Sequence, residues 1–413
     1  MKAILFLILS IVFMNSCELE NTLNYPNFDN LDFLKDSSPI EDSILEQFNG
    51  IYNITSEKNI FGKIAVIKAS SNYLSFFCEA NGSYIIVKGG IKDSLLKFEG
   101  YWRLSATTNT GKFTFEIPFS SLLSNFKNGK LDSNFTFVGF ASTPNGKEEK
   151  FTFTFNKSIN NSSKHLLIIA HRGGGRNSDY LPYSENSIEL MKYSNLLGAN
   201  SIEIDVQNSK DNIPFIYHDS FFSTRLIRGE FLVGSTSNFT LNQIKTFGML
   251  KYGEKIPTLD EALRAVVFET SLELVWVDCK TSSVVKGTVE IINKYTNIAD
   301  DIGRKVQICL GIPSDEVFSQ FKLIENYKNI NSICELSVDK VLDINSIAFG
   351  PSWTIGLLKN ESEVIRKNDK QLFVWTLDEG LFIDKYLKSG LYDGIVTNYP
   401  SVVAFYYYTK YDN

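Results

Sequence analysis

Three features of the sequence set the expected fold class. Short runs of alternating polarity fill the first part of the chain, strands separated by amphipathic stretches fill the rest, and the rhythm changes near residue 165. The first pattern predicts a small all-β antiparallel sandwich or barrel domain. The second predicts a parallel sheet, and the expected class is therefore α/β, a (β/α)8 TIM-type barrel preceded by the all-β domain. A length of 413 residues allows two or three domains, and a composition that is 43% apolar can fill their cores.

The chain opens with Lys2 and the apolar run "AILFLILSIVFM", too short to span a bilayer comfortably but the size of a signal-peptide core. "NSC" follows, and Cys17 is succeeded by the acidic "ELE". Residues 1–17 resemble a bacterial lipoprotein signal, in which the cysteine becomes the lipid-modified N-terminus. Met14 and Asn15 depart from the leucine and small residue usual before it. An ordinary cleaved secretion signal with an incidental cysteine is the alternative. No later segment is apolar and long enough to span, so attachment is expected through an anchor. The expected location is that of an exported, membrane-anchored lipoprotein, in the periplasm or at the cell surface. Residues 18–44, rich in Asn, Asp, Ser and Glu, read as a tether.

Residues 45–160 hold the short strands: "KIAVIKA", "YLSFFCEA", "SYIIVKGG", "KFEGYWRL", "KFTFEIPF", "NFTFVGF" and "EKFTFTF", each bounded by Gly, Asn, Ser or Lys clusters. No cluster of acids, histidines or cysteines marks a site there, so an accessory role is expected. Four cysteines remain beyond Cys17, at 78, 279, 309 and 334, without C-x-x-C spacing. That indicates neither a zinc site nor a disulfide framework. Net charge of -6 without a long basic run argues against a nucleic-acid partner.

From 165 to 413 the strands come in order as "LLIIAH", "SIEIDV", "PFIYHD", "LELVWVD", "VQICLG", "INSICEL", "SIAFG", "LFVWTLD" and "GIVTNYP", with helices expected between most of them. The first helix is expected from Ser184. Nine candidates are one more than an eight-stranded barrel needs. The link from Val206 to Pro214 is too short for a parallel crossover, so "PFIYHD" is expected to fold back beside its predecessor. "SVVAFYYYTKY" is expected to form a last helix covering the barrel.

Active sites of such barrels lie at the C-terminal ends of the strands. His171 and Arg172 end the first strand, Glu203 and Asp205 share one face of the second, and His218 ends the fold-back strand. Asp278 and Lys280 end the next, and Glu185 and Asn186 lie near the first helix. Glu203, Asp205 and Asp278 would repel one another without a cation between them. As all-oxygen ligands they suit one divalent cation, Ca²⁺ or Mg²⁺, better than zinc. Arg172 and Lys280 supply positive charge for a phosphate. Two of the chain's three histidines, His171 and His218, can move the protons of attack and departure. Together these residues point to metal-assisted cleavage of a phosphodiester. His165 reads as a boundary residue, and Gly173–Gly175 as a turn that lets the backbone clear the metal or as a phosphate cradle.

"AHRGGG", "SENS", "EIDV", "IYHD", "VDCK", "VWTLDE" and "DGIVTNYP" resemble, in order and spacing, the motifs of the glycerophosphodiester phosphodiesterase family over roughly residues 165–400. The resemblance implies His171 and His218 as acid and base, and Glu203, Asp205 and Asp278 as metal ligands. It implies Arg172 and Lys280 as phosphate contacts, Trp375 as a pocket wall, and Glu185 with Asn186 as site support; Trp375 can equally be core. It also implies a small glycerophosphodiester as substrate and glycerol 3-phosphate as product. Two departures stand out: Asp278 replaces the usual glutamate, and the loop "GGGRNSDYLPYS" adds Arg176 and two tyrosines that could reshape the leaving-group pocket. Two other readings remain open. One is a lysophospholipase D or phosphoinositide-phospholipase-like enzyme on lipid substrates, and the other a catalytically silent ligand-binding lipoprotein.

Overall fold

The structure is a computed structural model describing residue 25 and residues 31–410, except 81, 106, 128–129, 143–145, 160–164 and 230. Cys17 and the expected signal, 1–17, lie outside the described residues, as does the tether ahead of residue 31 save Tyr25.

The all-β part is a closed barrel. Its strands are β1 (Gly50–Ser56), β2 (Ile64–Ser70), β3 (Tyr73–Cys78), β4 (Tyr84–Lys92), β5 (Leu95–Arg103), β6 (Thr110–Pro118), β7 (Thr136–Ser142) and β8 (Glu148–Lys157). Each pairs antiparallel with its neighbour in sequence, and β1 closes on β8, with Tyr52 opposite Phe155 and Ile54 opposite Phe153. Closure leaves no free sheet edge, which decides between sandwich and barrel. Strand β6 shows the rule: Phe113, Phe115 and Ile117 point inward, Lys112 and Glu116 outward. The interior is mostly phenylalanine, with Phe98 stacked on Phe115 at 4.3 Å and Phe137 on Phe153 at 5.0 Å. Strand β1 was not among the expected strands, because "GIYNITS" carries too few apolar residues to announce itself.

The second barrel has eight parallel strands. They are β9 (Leu167–Ala170), β10 (Ser201–Asn208), β12 (Leu274–Cys279), β13 (Gln307–Ile312), β14 (Ser332–Cys334), β15 (Ala348–Phe349), β16 (Gln371–Val374) and β17 (Gly394–Thr397). The ring closes where β9 pairs with both β10 and β17. The ninth strand, β11 (Pro214–Ile216), runs antiparallel beside β10, with Val206 opposite Ile216. Trp276 fills the interior below the catalytic ends. A Cβ at Gly311 or Gly350 would lie 2.4 or 2.5 Å from its ring, so only glycine leaves it room. Helices cover the outside, among them Leu259–Glu269, started by a Thr258–Glu261 capping box, and the last helix, Pro400–Lys410. The first helix begins at Ile188 rather than Ser184, because Asn186 adopts a positive φ of 63° and turns its side chain to the site. The thiols of Cys78, Cys279, Cys309 and Cys334 are buried and free. Among the described residues, no helix is long and apolar enough to cross a membrane.

The two barrels share a buried junction. Tyr84, Ile86 and Tyr101, on the outer face of the first barrel, pack against Leu181, Leu190, Tyr193, Leu196 and Leu197 of the second. The hydroxyls of Tyr101 and Tyr193 are hydrogen-bonded to each other. Arg103 is fully buried there. Its Nη2 donates to the carbonyls of Thr107 at 2.6 Å and Asp179 at 2.9 Å, and its Nη1 donates to the Tyr25 hydroxyl at 2.5 Å. A buried cation so held is costly to remove because its acceptors lose their donors. Arg103→Met is expected to lower stability by on the order of 2–4 kcal/mol, seen as a lower urea midpoint. An unchanged midpoint would mean that Arg103 does not bind the barrels together.

Candidate active site

The site lies at the C-terminal ends of β9, β10 and β12. Strand β9 stops at Ala170, and the chain turns through His171, Arg172 (φ 54°) and Gly173 (φ 81°). The next glycines serve packing rather than a phosphate cradle. A Cβ on Gly174 would lie 2.6 Å from Leu190, and one on Gly175 3.0 Å from the Asn398 carbonyl oxygen. The tight turn brings the Arg172 backbone N–H to Glu203 Oε2 at 2.8 Å. The Arg172 guanidinium spans two further site residues, donating to Glu185 Oε1 at 2.6 Å and to His218 Nε2 at 2.8 Å. Glu185 is buried and also accepts from the Asn177 N–H at 2.8 Å.

Glu203, Asp205 and Asp278 are all buried, and one carboxylate oxygen from each lies within 4.8 Å of the others. Register explains the meeting: β10 and β12 are parallel neighbours, with Asp205 directly beside Asp278. Lys280 Nζ bridges Asp205 Oδ1 at 2.6 Å and Asp278 Oδ2 at 2.5 Å. Asn186 holds Asp205 from the other side, donating Nδ2 to Oδ2 at 2.7 Å and accepting the Asp205 N–H at 3.2 Å. Burial, then the charge of Asp205, pushes the Glu203 carboxyl well above its usual range. Burial also raises Asp278. Burial would raise Asp205 as well, but Lys280, His218 and Arg172 hold it below the ordinary aspartate range. Against burial, Asp205 and Asp278 raise the Lys280 ammonium well above normal.

The two histidines are held differently. His171 Nδ1 lies 2.8 Å from Asn398 Oδ1. Asn398 is itself oriented by Asp378, whose carboxylate accepts its N–H at 2.8 Å and its side-chain amide at 2.7 Å. With the amide nitrogen so committed, Asn398 Oδ1 faces His171 and places the imidazole proton on Nδ1. His171 Nε2 then carries the lone pair and lies 3.8 Å from Glu203 Oε2. Burial, with Arg172 nearby, pushes the His171 pKa down to about 4. His218 instead gives Nδ1–H to Asp219 Oδ1 at 2.7 Å, and Arg225 braces Asp219 at 2.7 and 3.1 Å.

The sequence model of the "Glycerophosphoryl diester phosphodiesterase family" matches residues 171–402, more than half of the chain. The chain belongs to that family. A curated relative, the glycerophosphodiester phosphodiesterase of Caldanaerobacter subterraneus subsp. tengcongensis, is 27% identical over 247 residues, 57% of this chain and 96% of its own. Similar solved structures include an Oleispira antarctica phosphodiesterase described in complex with the product sn-glycerol-3-phosphate. It is 18% identical with a TM-score of 0.47, covering 58% of this chain and 95% of that one. Another is a glycerophosphodiester phosphodiesterase from Parabacteroides distasonis, 17% identical with a TM-score of 0.45, covering 58% and 96%. The chain is thus a glycerophosphodiester phosphodiesterase, and its activity is hydrolysis of that diester class.

In this phosphodiesterase the structure brings together His171, Arg172, Glu185, Asn186, Glu203, Asp205, His218, Asp278 and Lys280, as detailed above. Trp375 lies across a cavity of about 430 Å³ from them, its Nε1 donating to the Gly350 carbonyl at 2.7 Å. Its ring is part-exposed in that cavity while packing against the barrel interior, so it is wall and core at once. The added loop residues do not line the cavity. Arg176 folds onto Asp179 at 3.0 Å, Tyr183 packs on Tyr193, and Tyr180 lies beside Arg103 at the junction. Three residues were missed from the sequence: Glu335, after β14, lines the cavity, while Asn398 and Asp378 orient His171. The last two stand inside the quoted "GIVTNYP" and "VWTLDE" motifs, which offered the only signal. Asn398→Leu removes the acceptor that sets the His171 tautomer. It is expected to lower kcat on the order of 10–100-fold with KM little changed. Equal losses in kcat and stability would indicate a packing role instead.

Proposed function

We propose that this phosphodiesterase hydrolyses small glycerophosphodiesters to an alcohol and glycerol 3-phosphate, with His171 and His218 moving protons beside one divalent cation, Ca²⁺ or Mg²⁺. The observation that carries this reading is uncompensated charge. Of three buried carboxylates only Asp205 and Asp278 share the bridging Lys280, and Asp278 Oδ1 has no hydrogen-bond partner. Such a set fits a hard cation, which Glu203, Asp205 and Asp278 would hold. When bound, the cation neutralises developing charge and polarises a phosphoryl oxygen. Asp278, standing where the family usually has glutamate, would reach such a cation with a shorter side chain.

The side chains divide the remaining work. Arg172 and Lys280 attract the phosphate, Arg172 by its planar fork and Lys280 as a point charge. His171, neutral above about pH 4 and with Nε2 open, takes the proton from the attacking oxygen as its bond to phosphorus forms. His218 has Asp219 behind it to support an imidazolium. Once Arg172 turns to the phosphate, His218 Nε2 can protonate the leaving alcohol as its bond to phosphorus breaks. Glu185 and Asn186 position Arg172 and Asp205. Trp375 offers an apolar wall to the substrate. We also propose that Cys17 is lipid-modified and anchors the exported enzyme to a membrane, a reading supported by the run preceding it.

Residues 18–413 should release glycerol 3-phosphate from glycerophosphocholine or glycerophosphoethanolamine, lose the activity in EDTA and regain it with Ca²⁺ or Mg²⁺. His171→Ala and Glu203→Ala are each expected to lower kcat on the order of 10²–10⁴-fold with the fold retained. Full turnover in EDTA removes the cation from the scheme, and full turnover in His171→Ala removes its base. Cys17→Ser in the whole chain should move the protein from the detergent phase to the aqueous phase. Unchanged partition would exclude the anchor.

A further inference from the structure

Between β11 and the helix Leu259–Glu269, residues 219–257 form an insertion that supplies His218's partner Asp219 and then leaves the barrel. Two small ribbons shape it, pairing Phe221–Phe222 with Gly234–Ser235 and Ile227–Arg228 with Met249–Leu250. Its inner side has a core of its own, including Phe222, Ile227, Leu232 and Leu250. Its outer side is also apolar. Phe231 is 82% and Val233 74% exposed, and Phe221, Phe247 and Met249 are more than half exposed. These residues form neighbouring segments rather than scattered points. Leu232 lies against Gly248, so the exposed pair flanking it, Phe231 and Val233, stands beside the pair flanking Gly248, Phe247 and Met249.

The patch is basic as well as apolar. Met249 pairs across the ribbon with exposed Arg228 and bridges on its other side to exposed Lys255. Over residues 219–257 the sequence has five basic residues against three acidic ones, in a chain of net charge -6. The insertion is also fastened to the catalytic rim. Arg225 braces Asp219 and lies 3.5 Å from Glu185, and Glu254 accepts from the Ser184 N–H at 2.9 Å and hydroxyl at 2.6 Å. The chain's own beginning reaches this side too. The Tyr25 hydroxyl donates to the Tyr180 carbonyl on the rim loop. Residue 17 stands eight positions earlier, a span of at most about 28 Å.

We propose that the outer face of this insertion docks on an anionic lipid surface, turning the catalytic mouth toward the bilayer. Apolar side chains enter the interfacial region while Arg228 and Lys255 meet lipid phosphates, the combination by which interfacial elements bind. Docking itself needs neither the reaction proposed above nor the anchor at Cys17.

The test is co-sedimentation of residues 18–413 with vesicles of phosphatidylcholine alone and with vesicles also containing phosphatidylglycerol. Binding is expected only with phosphatidylglycerol present and should fall with added salt. The pairs Phe231→Ser with Val233→Ser, and Arg228→Glu with Lys255→Glu, should each weaken it on the order of tenfold or more. Both pairs should leave glycerophosphocholine turnover unchanged, which separates failure of docking from failure of the chemistry. Vesicle binding that is absent, or unaltered in both pairs, overturns the proposal. Self-association of the chain lost on Phe231→Ser with Val233→Ser, without vesicle binding, would assign the face to a second copy instead.

Discussion

Three buried carboxylates facing one another across two adjacent strands are the constraint around which the catalytic barrel is arranged. Charges taken out of water need close partners or a cation, and here the partners fall short. Lys280 serves two of the acids, Asn186 props Asp205, and Glu203 takes one backbone N–H from Arg172. Two of these helpers sit where they do at a conformational cost. Asn186 and Arg172 both adopt positive φ, and the first helix starts four residues late so that Glu185 and Asn186 can turn inward. Parallel pairing is what makes this possible: strands in register bring Asp205 and Asp278 level with no freedom to spread apart.

The same neighbourhood holds two chemically identical side chains on different partners. His171 is backed by a neutral amide and sits beside a guanidinium, so its protonated form is disfavoured. His218 is backed by a carboxylate. The partner at Nδ1 rather than residue type distinguishes the two imidazoles. A neutral amide, held by Asp378, does for His171 what a carboxylate does for His218.

Much of this was legible in the sequence, for a physical reason. A parallel strand buried on both faces is almost wholly apolar, so a charged residue at its end is conspicuous, and those at 171, 172, 203, 205, 278 and 280 were found that way. The fold-back of β11 followed from loop length alone. What escaped was of other kinds. Asn398 and Asp378 look like ordinary turn residues until their long-range bonds are known. Glu335 follows a strand only three residues long. Strand β1 hides behind polar residues, and the loop tyrosines point to a junction whose partners lie some hundred positions earlier in the chain. Pairing across such distances leaves no local periodicity to read.

The family match begins at residue 171, yet the barrel's surface does not end where that match does. Leu181, Leu190, Tyr193 and Leu197 find their cover on the all-β barrel, and a buried arginine from it grips the loop that carries Asp179. The catalytic half is therefore not a detachable cassette. Recombination that moved it without its companion would leave an oily scar beside the active-site rim. A replacement companion would have to bring its own aromatic face and its own cation in place of Arg103.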